Sequence, residues 1–499
     1  MNAPLRRVGV VVIVLFGLLF VNLNYVQGIQ ATKLRTSDYN GRVQIAEYER
    51  ARGKIVVAGA PVASIEETDG ELKYQRTYPG GATYAHVTGF KPVNGAETGI
   101  EKLENEFLAG TSDEFAADRL VEMFTGRTTA GGNVDLTLSK AGQEAAVKEL
   151  AGNRVDARTG AVVALDPKTG KVLTLASMPS FDPNPLASHN TTAAEAAYKK
   201  LDTNPAKPLL NRATSETFPP GSTMKVIVSA AALDSGLTQQ SQLTGGSSYQ
   251  APDTTHVIRN APGVNCPQQI SLKQALTVSC NTAFARLGAE QLKGDKIKET
   301  AESFGFGTEP RFAEDQRDNV FRTEASQVGD LKDPDGSDNT PIVAQSCIGQ
   351  ADVRMTPLQG ALVTATVANG GRQMRPYLID KLTGPDLSTL HNGEPRTLRE
   401  PISGQVAGDL RDMMVSAVEN GTGRSARVRG LDVGGKTGTA EAGESDDDHG
   451  WFIGFAMKNG EPVAAVAVLL EKAGRGGSSE AARVAGQVIK AIATERGLL

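Results

Sequence analysis

Gly160-Ala-Val-Val-Ala-Leu-Asp166 and Lys171-Val-Leu-Thr-Leu-Ala-Ser177, joined by the turn Pro167–Gly170, are the stretch from which the fold can be read. Two short apolar runs around a Pro/Gly turn predict a β-hairpin. Far downstream, Trp451–Met457 and Val463–Glu471 read as two more buried strands. Ser478–Arg496 carries apolar residues at Val484, Val488, Ile489 and Ile492, the spacing of an amphipathic terminal helix. Strands early, helices in the middle, then strands and a last helix predict one sheet built from both ends of a large α+β domain. Immediately after the hairpin, Met178 to about Pro208 is rich in Pro and Asn and reads as a loop.

Before the hairpin the elements are short and mixed. Arg52–Val57 reads as a turn entering a strand, Tyr78-Pro79-Gly80-Gly81 as a turn and Ile100–Leu108 as a short helix. Val134–Leu138 reads as a strand, followed by a helical stretch that ends near Asn153. The expected division is 1–30 as tip and membrane anchor, 31–153 as a small pedestal and 154–499 as the main domain. Val8 to Thr32 is an uncharged run of 25 residues behind Arg6 and Arg7. As a helix it would be about 37 Å long, enough to cross a hydrocarbon core of about 30 Å. The flanking arginines predict a single-pass anchor with residues 1–7 in the cytoplasm and the body outside the cell membrane. The competing reading is a cleaved signal peptide ending at Val26-Gln27-Gly28, which exports the body equally.

Composition excludes several classes. Across 499 residues, 52 Lys+Arg stand against 57 Asp+Glu, and there is no basic block of the kind a nucleic-acid binder shows. The five histidines lie far apart, with no Cys-x-x-Cys, so neither a metal site nor a cofactor is expected. Of the three cysteines, spacing favours Cys266 with Cys280 in an oxidising compartment, although spacing does not fix connectivity.

Chemistry is concentrated at Phe218-Pro-Pro-Gly-Ser-Thr-Met-Lys225, ahead of an apolar helix expected over Thr223–Leu233. Residues i and i+3 share a helical face, so the Lys225 amine can sit beside the Ser222 hydroxyl. A desolvated, neutral amine there can take the nucleophile's proton. The competing structural reading makes Ser222 a plain helix N-cap. A Ser/Lys pair without clustered histidines or a Gly-x-Ser-x-Gly elbow points to acyl transfer.

With these residues the chain resembles the penicillin-binding proteins, whose Ser-x-x-Lys, Ser-x-Asn and Lys-Thr-Gly elements follow in that order. Ser-x-Asn occurs three times. Ser188-His-Asn190 precedes Ser222, and Ser337-Asp-Asn339 sits in an acidic, turn-rich loop. Ser279-Cys-Asn281 lies between two helical stretches, Leu272–Val278 and Thr282–Leu287, and is preferred because a site residue needs a supported backbone. Lys168-Thr-Gly170 is the hairpin turn, which leaves Lys436-Thr437-Gly438 on a strand edge, where Gly434 and Gly435 are expected to let a substrate backbone come close. Gly430–Thr437 also fits a P-loop, but no buried strand precedes it and the acidic stretch Glu441–Asp448 follows.

Arg52-Gly53-Lys54-Ile55, Gly99-Ile100-Glu101 with Asn105 and Leu108, Gly349-Gln350 and Met355–Leu358 are similar to motifs of class B members, in particular the compact PbpA type. The resemblance implies an α+β fold: a transmembrane helix, a small mixed pedestal, and a transpeptidase domain with a central antiparallel sheet, flanking helices and a helical subdomain. It implies a D,D-transpeptidase that cross-links peptidoglycan stem peptides ending in D-Ala-D-Ala and is acylated by β-lactams. The implied catalytic residues are Ser222, Lys225, Ser279 and Lys436, with Asn281, Thr437, Gly438 and Thr439 binding substrate. A membrane glycan polymerase of the division or elongation machinery is the implied partner. The rival readings are a serine β-lactamase or D,D-carboxypeptidase, and a non-catalytic scaffold.

Overall fold

The computed structural model describes residues 3–30, 47–126, 128–312, 321–441 and 447–499; the first part of the expected pedestal, 31–46, and most of the acidic stretch, 442–446, lie outside them. Eleven strands form the two large sheets: β1 (Ile55–Val57), β2 (Ala60–Glu67), β3 (Tyr74–Thr77), β4 (Asn133–Leu136), β5 (Thr159–Leu165), β6 (Val172–Met178), β7 (Ile379–Thr383), β8 (Thr389–Asn392), β9 (Asp432–Ala440), β10 (His449–Lys458) and β11 (Glu461–Glu471).

The main sheet has the order β9-β10-β11-β5-β6, antiparallel throughout, so the early hairpin and the late strands do share one sheet, with Val163 opposite Ala467. Successive side chains of a strand point to opposite faces. Ala161, Val163 and Leu165 join the core under the wholly buried helix Pro357–Ala368. Val162 and Ala164 join the core under the terminal helix Gly477–Glu495. Covering both faces removes the polar alternation, which is why these strands read as continuous apolar runs. β9 is an edge strand.

The second sheet has the order β8-β7-β4-β1-β2-β3. Only the β1–β4 pair is parallel. Its outer hairpin, β7–β8, comes from the sequence assigned above to the main domain, and Leu382 lies opposite Val134. Beneath the sheet, Glu101 is fully buried and takes Arg52 Nε at 2.8 Å and Arg76 Nε at 2.6 Å. Tyr78 donates its hydroxyl to the same carboxylate at 3.2 Å. Two of the motifs that carried the resemblance are thus the two halves of one buried ion pair. Burial works to raise the Glu101 carboxyl, but Arg76 and Arg52 outweigh it and hold it below its ordinary value.

Several expectations need correction. The segment Met178–Pro208 contains the helix Thr191–Asp202. Its Pro and Asn residues cluster at the ends, Asn190 capping Ala193 N at 3.1 Å, while the middle is Ala, Glu and Lys with high helix propensity. A helix, Gly81–Thr88, also follows the turn at Tyr78–Gly81. Ile100–Leu108 is two short helices, Gly99–Leu103 and Asn105–Leu108. The N-terminal helix runs through Ala3–Asn24 into a π-turn at Tyr25–Ile29; Arg6–Ile29 is long and apolar enough to cross a membrane, with none of it buried.

Candidate active site

Ser222 does not cap a helix. A 3-10 turn, Gly221–Met224, comes first and the α-helix begins at Lys225, running to Asp234. The Ser222 hydroxyl is therefore free of backbone capping and faces the Lys225 amine, with Nζ 3.1 Å from Oγ. The turn is held tightly against the sheet edge. Gly221 has φ 53°, its N–H donates to Gly349 O at 3.0 Å, and a Cβ on it would stand 2.3 Å from Thr439 O. Gly438 is equally constrained, since a Cβ there would lie 2.6 Å from Pro220 O. Trp451 donates its indole N–H to Pro219 O at 2.9 Å and fixes the turn from below.

Gly434 and Gly435 do something other than expected. A Cβ at Gly434 would meet the Phe455 ring at 2.4 Å, and one at Gly435 the Phe452 ring at 2.2 Å. These glycines make room for core aromatics; the close approach at the cleft belongs to Gly221 and Gly438.

Ser279 ends the helix Leu272–Val278 in a left-handed conformation, φ 63°, uncommon for a residue with a side chain. That bend turns both its carbonyl and its hydroxyl toward Lys225, 2.9 and 3.2 Å from Nζ. Asn281 starts the next helix, Asn281–Arg286, and its Oδ1 accepts from Lys225 Nζ at 2.6 Å. Its amide is oriented by Nδ2 donating to Arg259 O at 2.9 Å, and its backbone N–H donates to Asn260 Oδ1 at 2.8 Å. Between Ser279 and Asn281, Cys280 is bridged to Cys266, as spacing favoured, with Cα atoms 5.7 Å apart. Lys436, fully buried on β9, donates to Ser279 Oγ at 2.8 Å and to Thr437 O at 2.9 Å. Thr439 is exposed on the same strand. Ser222, Lys225, Ser279, Asn281 and Lys436 thus converge through direct contacts.

Among the described residues no carboxylate lies within salt-bridge distance of either amine. Burial pushes the Lys225 amine well below its ordinary value, and the Lys436 charge pushes it further. Burial brings Lys436 down to about 7. A neutral amine has two N–H donors and one lone pair. At Lys225, Asn281 Oδ1 and Ser279 O can only accept, so in the neutral amine they occupy both donors, and the lone pair is left to the two hydroxyls within reach, Ser222 O–H at 3.1 Å and Ser279 O–H at 3.2 Å.

The competing copies are elsewhere. Asn339 caps Ile342 N at 3.1 Å and Ser337 bonds Asp335 at 2.6 Å. Asn190 is the cap described above, and Lys168–Gly170 turns the β5–β6 hairpin. The P-loop reading fails because Lys436 and Thr437 lie within β9. Three contributors were missed. Thr422 bonds Thr437, Oγ1 to Oγ1, at 2.5 Å; Asn260 and the Arg259 carbonyl orient Asn281. None has a spacing that ties it to the three motifs.

Comparisons with known proteins point to one family. Residues 160–492 match the penicillin binding protein transpeptidase domain, and residues 52–134 the penicillin binding protein A dimerisation domain. The peptidoglycan D,D-transpeptidase PbpA of Mycolicibacterium smegmatis is 42% identical over 479 residues, covering 95% of this chain and 94% of that one. PbpA of Mycobacterium tuberculosis is 40% identical over 476 residues, covering 94% of each. The structure of M. tuberculosis penicillin-binding protein A as a ceftriaxone acyl-enzyme complex superposes with a TM-score of 0.83 at 39% identity, covering 90% of this chain and 99% of that one.

Proposed function

We propose, from the premise that this chain belongs to the penicillin-binding transpeptidase family, that Ser222 is its acylated nucleophile and Lys225 the base that activates it. The chain is a serine-type peptidoglycan D,D-transpeptidase. The observation that carries the assignment of residues is the buried Lys225 amine, whose donors can be taken by Asn281 Oδ1 and the Ser279 carbonyl while Ser222 Oγ, which no backbone cap occupies, stands 3.1 Å away.

In the proposed sequence Ser222 Oγ attacks the carbonyl of the penultimate D-Ala while its proton passes to Lys225. The backbone N–H groups of Ser222 and Thr439 receive the developing oxyanion. Ser279, bridging the two amines, hands a proton to the leaving amine, and the terminal D-Ala departs. Lys436, Thr437, Gly438 and Thr439 bind the substrate's terminal carboxylate, with Lys436 supplying charge, and Asn281 binds a substrate amide. An amine from a second strand then attacks the acyl-enzyme and closes the cross-link. A β-lactam enters the same first half-reaction and stays on Ser222.

The apolar helix Arg6–Ile29 supports a single-pass anchor with the body outside the cytoplasm, residues 31–153 acting as a pedestal for a transpeptidase domain of 154–499. A membrane glycan polymerase is the partner such an arrangement suits. Mass spectrometry after incubation with penicillin tests the assignment: the adduct is expected on the Ser222 peptide. Its absence, or its survival in Ser222→Ala, refutes the assignment. A long-lived adduct separates this enzyme from a β-lactamase, which would release it rapidly.

A further inference from the structure

The helix Ala116–Thr125 is mounted inside out. A helix on a globular surface ordinarily turns its apolar stripe inward and its charges to water. Two of its three charges face the protein, Asp118 staying exposed: Arg119 Nη1 donates to Ser112 O at 2.6 Å, and Glu122 takes Arg50 Nη1 and Nη2 at 2.9 and 2.6 Å and also the Thr129 N–H. Leu120, Val121, Met123 and Phe124 point outward, 54, 59, 76 and 87% exposed, and no residue of this helix is buried. A contiguous apolar patch held out by its own ion pair needs an apolar covering.

Its position says which covering. Arg50, which clamps the helix through Glu122, lies three residues beyond Glu47, where the described chain resumes after the N-terminal apolar helix. Only sixteen residues, 31–46, separate the two, a distance of at most roughly 55 Å even when fully extended. The outward face therefore sits beside the residues at which the described chain resumes, within that tether's reach of the N-terminal helix. An amphipathic helix with Leu, Met and Phe on one face is suited to the headgroup–acyl boundary of a bilayer.

We propose that the outward face of Ala116–Thr125 rests on the surface of the bilayer spanned by the chain's own N-terminal helix, giving the pedestal a second, shallow membrane contact. This rests on the anchor reading above. The contact fixes the pedestal's tilt, and with it the height and direction of the cleft over the membrane.

The test uses the full chain reconstituted into phosphatidylcholine/phosphatidylglycerol vesicles. An environment-sensitive fluorophore is attached at Met123→Cys, Phe124→Cys or, as a control on the helix Lys293–Ser303, Glu299→Cys. Cys347 is buried and Cys266 is bridged to Cys280, so labelling is confined to the new thiol. The labels at 123 and 124 are expected to shift to the blue and lose emission to a lipid-borne shallow quencher, while the label at 299 does neither. If the chain floats with the vesicles but all three labels behave alike, the contact is refuted and the anchor stands. If the labels are shielded without lipid quenching, and Met123→Cys cross-links to a second copy, the face is a self-association surface and the proposal is overturned. A chain that does not float refutes the anchor, and the bilayer contact with it.

Discussion

Glu101 in the pedestal and Lys225 in the cleft are both wholly buried, yet their surroundings differ in kind. Glu101 is charged and answered by two guanidinium groups and a tyrosine hydroxyl. Among the described residues Lys225 has no anion; its neighbours are uncharged oxygens and a second buried amine linked through Ser279 Oγ. In the pedestal, burial is tolerated by pairing, and the result is rigidity. In the cleft burial instead pushes the amine toward its neutral form, which is what the proposed base requires.

The largest effect that tests this contrast is Lys225→Met. If the amine is a base and not a structural ion, acylation by penicillin falls by about 10²–10⁴-fold. Stability to denaturant should fall modestly, by about 1–3 kcal/mol, because Asn281 Oδ1 and the Ser279 carbonyl lose the donor they share. Near-normal acylation would break the contrast on the catalytic side. Glu101→Gln is the reciprocal case. It strands Arg76 without its anion, leaves Arg52 only Glu47 at 3.7 Å, and is expected to cost about 3–5 kcal/mol of stability in urea unfolding, with the acylation rate of the folded fraction unchanged.

Protonation separates the regions next. Lys436 lies near 7 in the folded chain against an ordinary 10.5. Between those values the unfolded chain binds a proton that the folded chain has released, so stability should rise with pH through that window; Lys436→Met should flatten the rise. Removing that charge also relieves Lys225, so the acid limb of the residual acylation rate should move to higher pH. Glu101 acts in the same direction but in an acid window: its stabilisation is present above the ordinary carboxylate value of 4.5 and is lost as pH falls through its depressed folded value. The smallest effect sharpens the choice between serine motifs. Asn339→Ala removes a helix cap and should cost about 1 kcal/mol while leaving acylation alone, whereas Asn281→Ala should slow it.

Much of this was legible in the order of residues. The β5–β6 hairpin and β10–β11 follow from apolar runs bounded by turns, and the terminal helix from its spacing, because each is a local pattern. The order of the three motifs, and the helices around Ser279, favoured one copy of each repeated motif; the contacts at Lys225 bring Ser279 and Asn281, not Ser337 and Asn339, to it. What local pattern misled on was punctuation. Pro and Asn around Thr191–Asp202 hid a helix, and Pro220-Gly221-Ser222 looked like a capping signal when the chain makes a 3-10 turn.

The sequence alone determined which side chains were available and the elements that carry them. It could not determine that Gly221 and Gly438 serve the cleft while Gly434 and Gly435 serve aromatic rings, nor that β7–β8 would complete the pedestal sheet. It could not show that, among the described residues, neither lysine has a carboxylate partner. Those outcomes depend on which remote segments meet and at what distance: Lys436 reaches Ser279 across 157 residues of chain. The protonation of a buried amine is a property of everything packed around it, and only the folded chain supplies those neighbours.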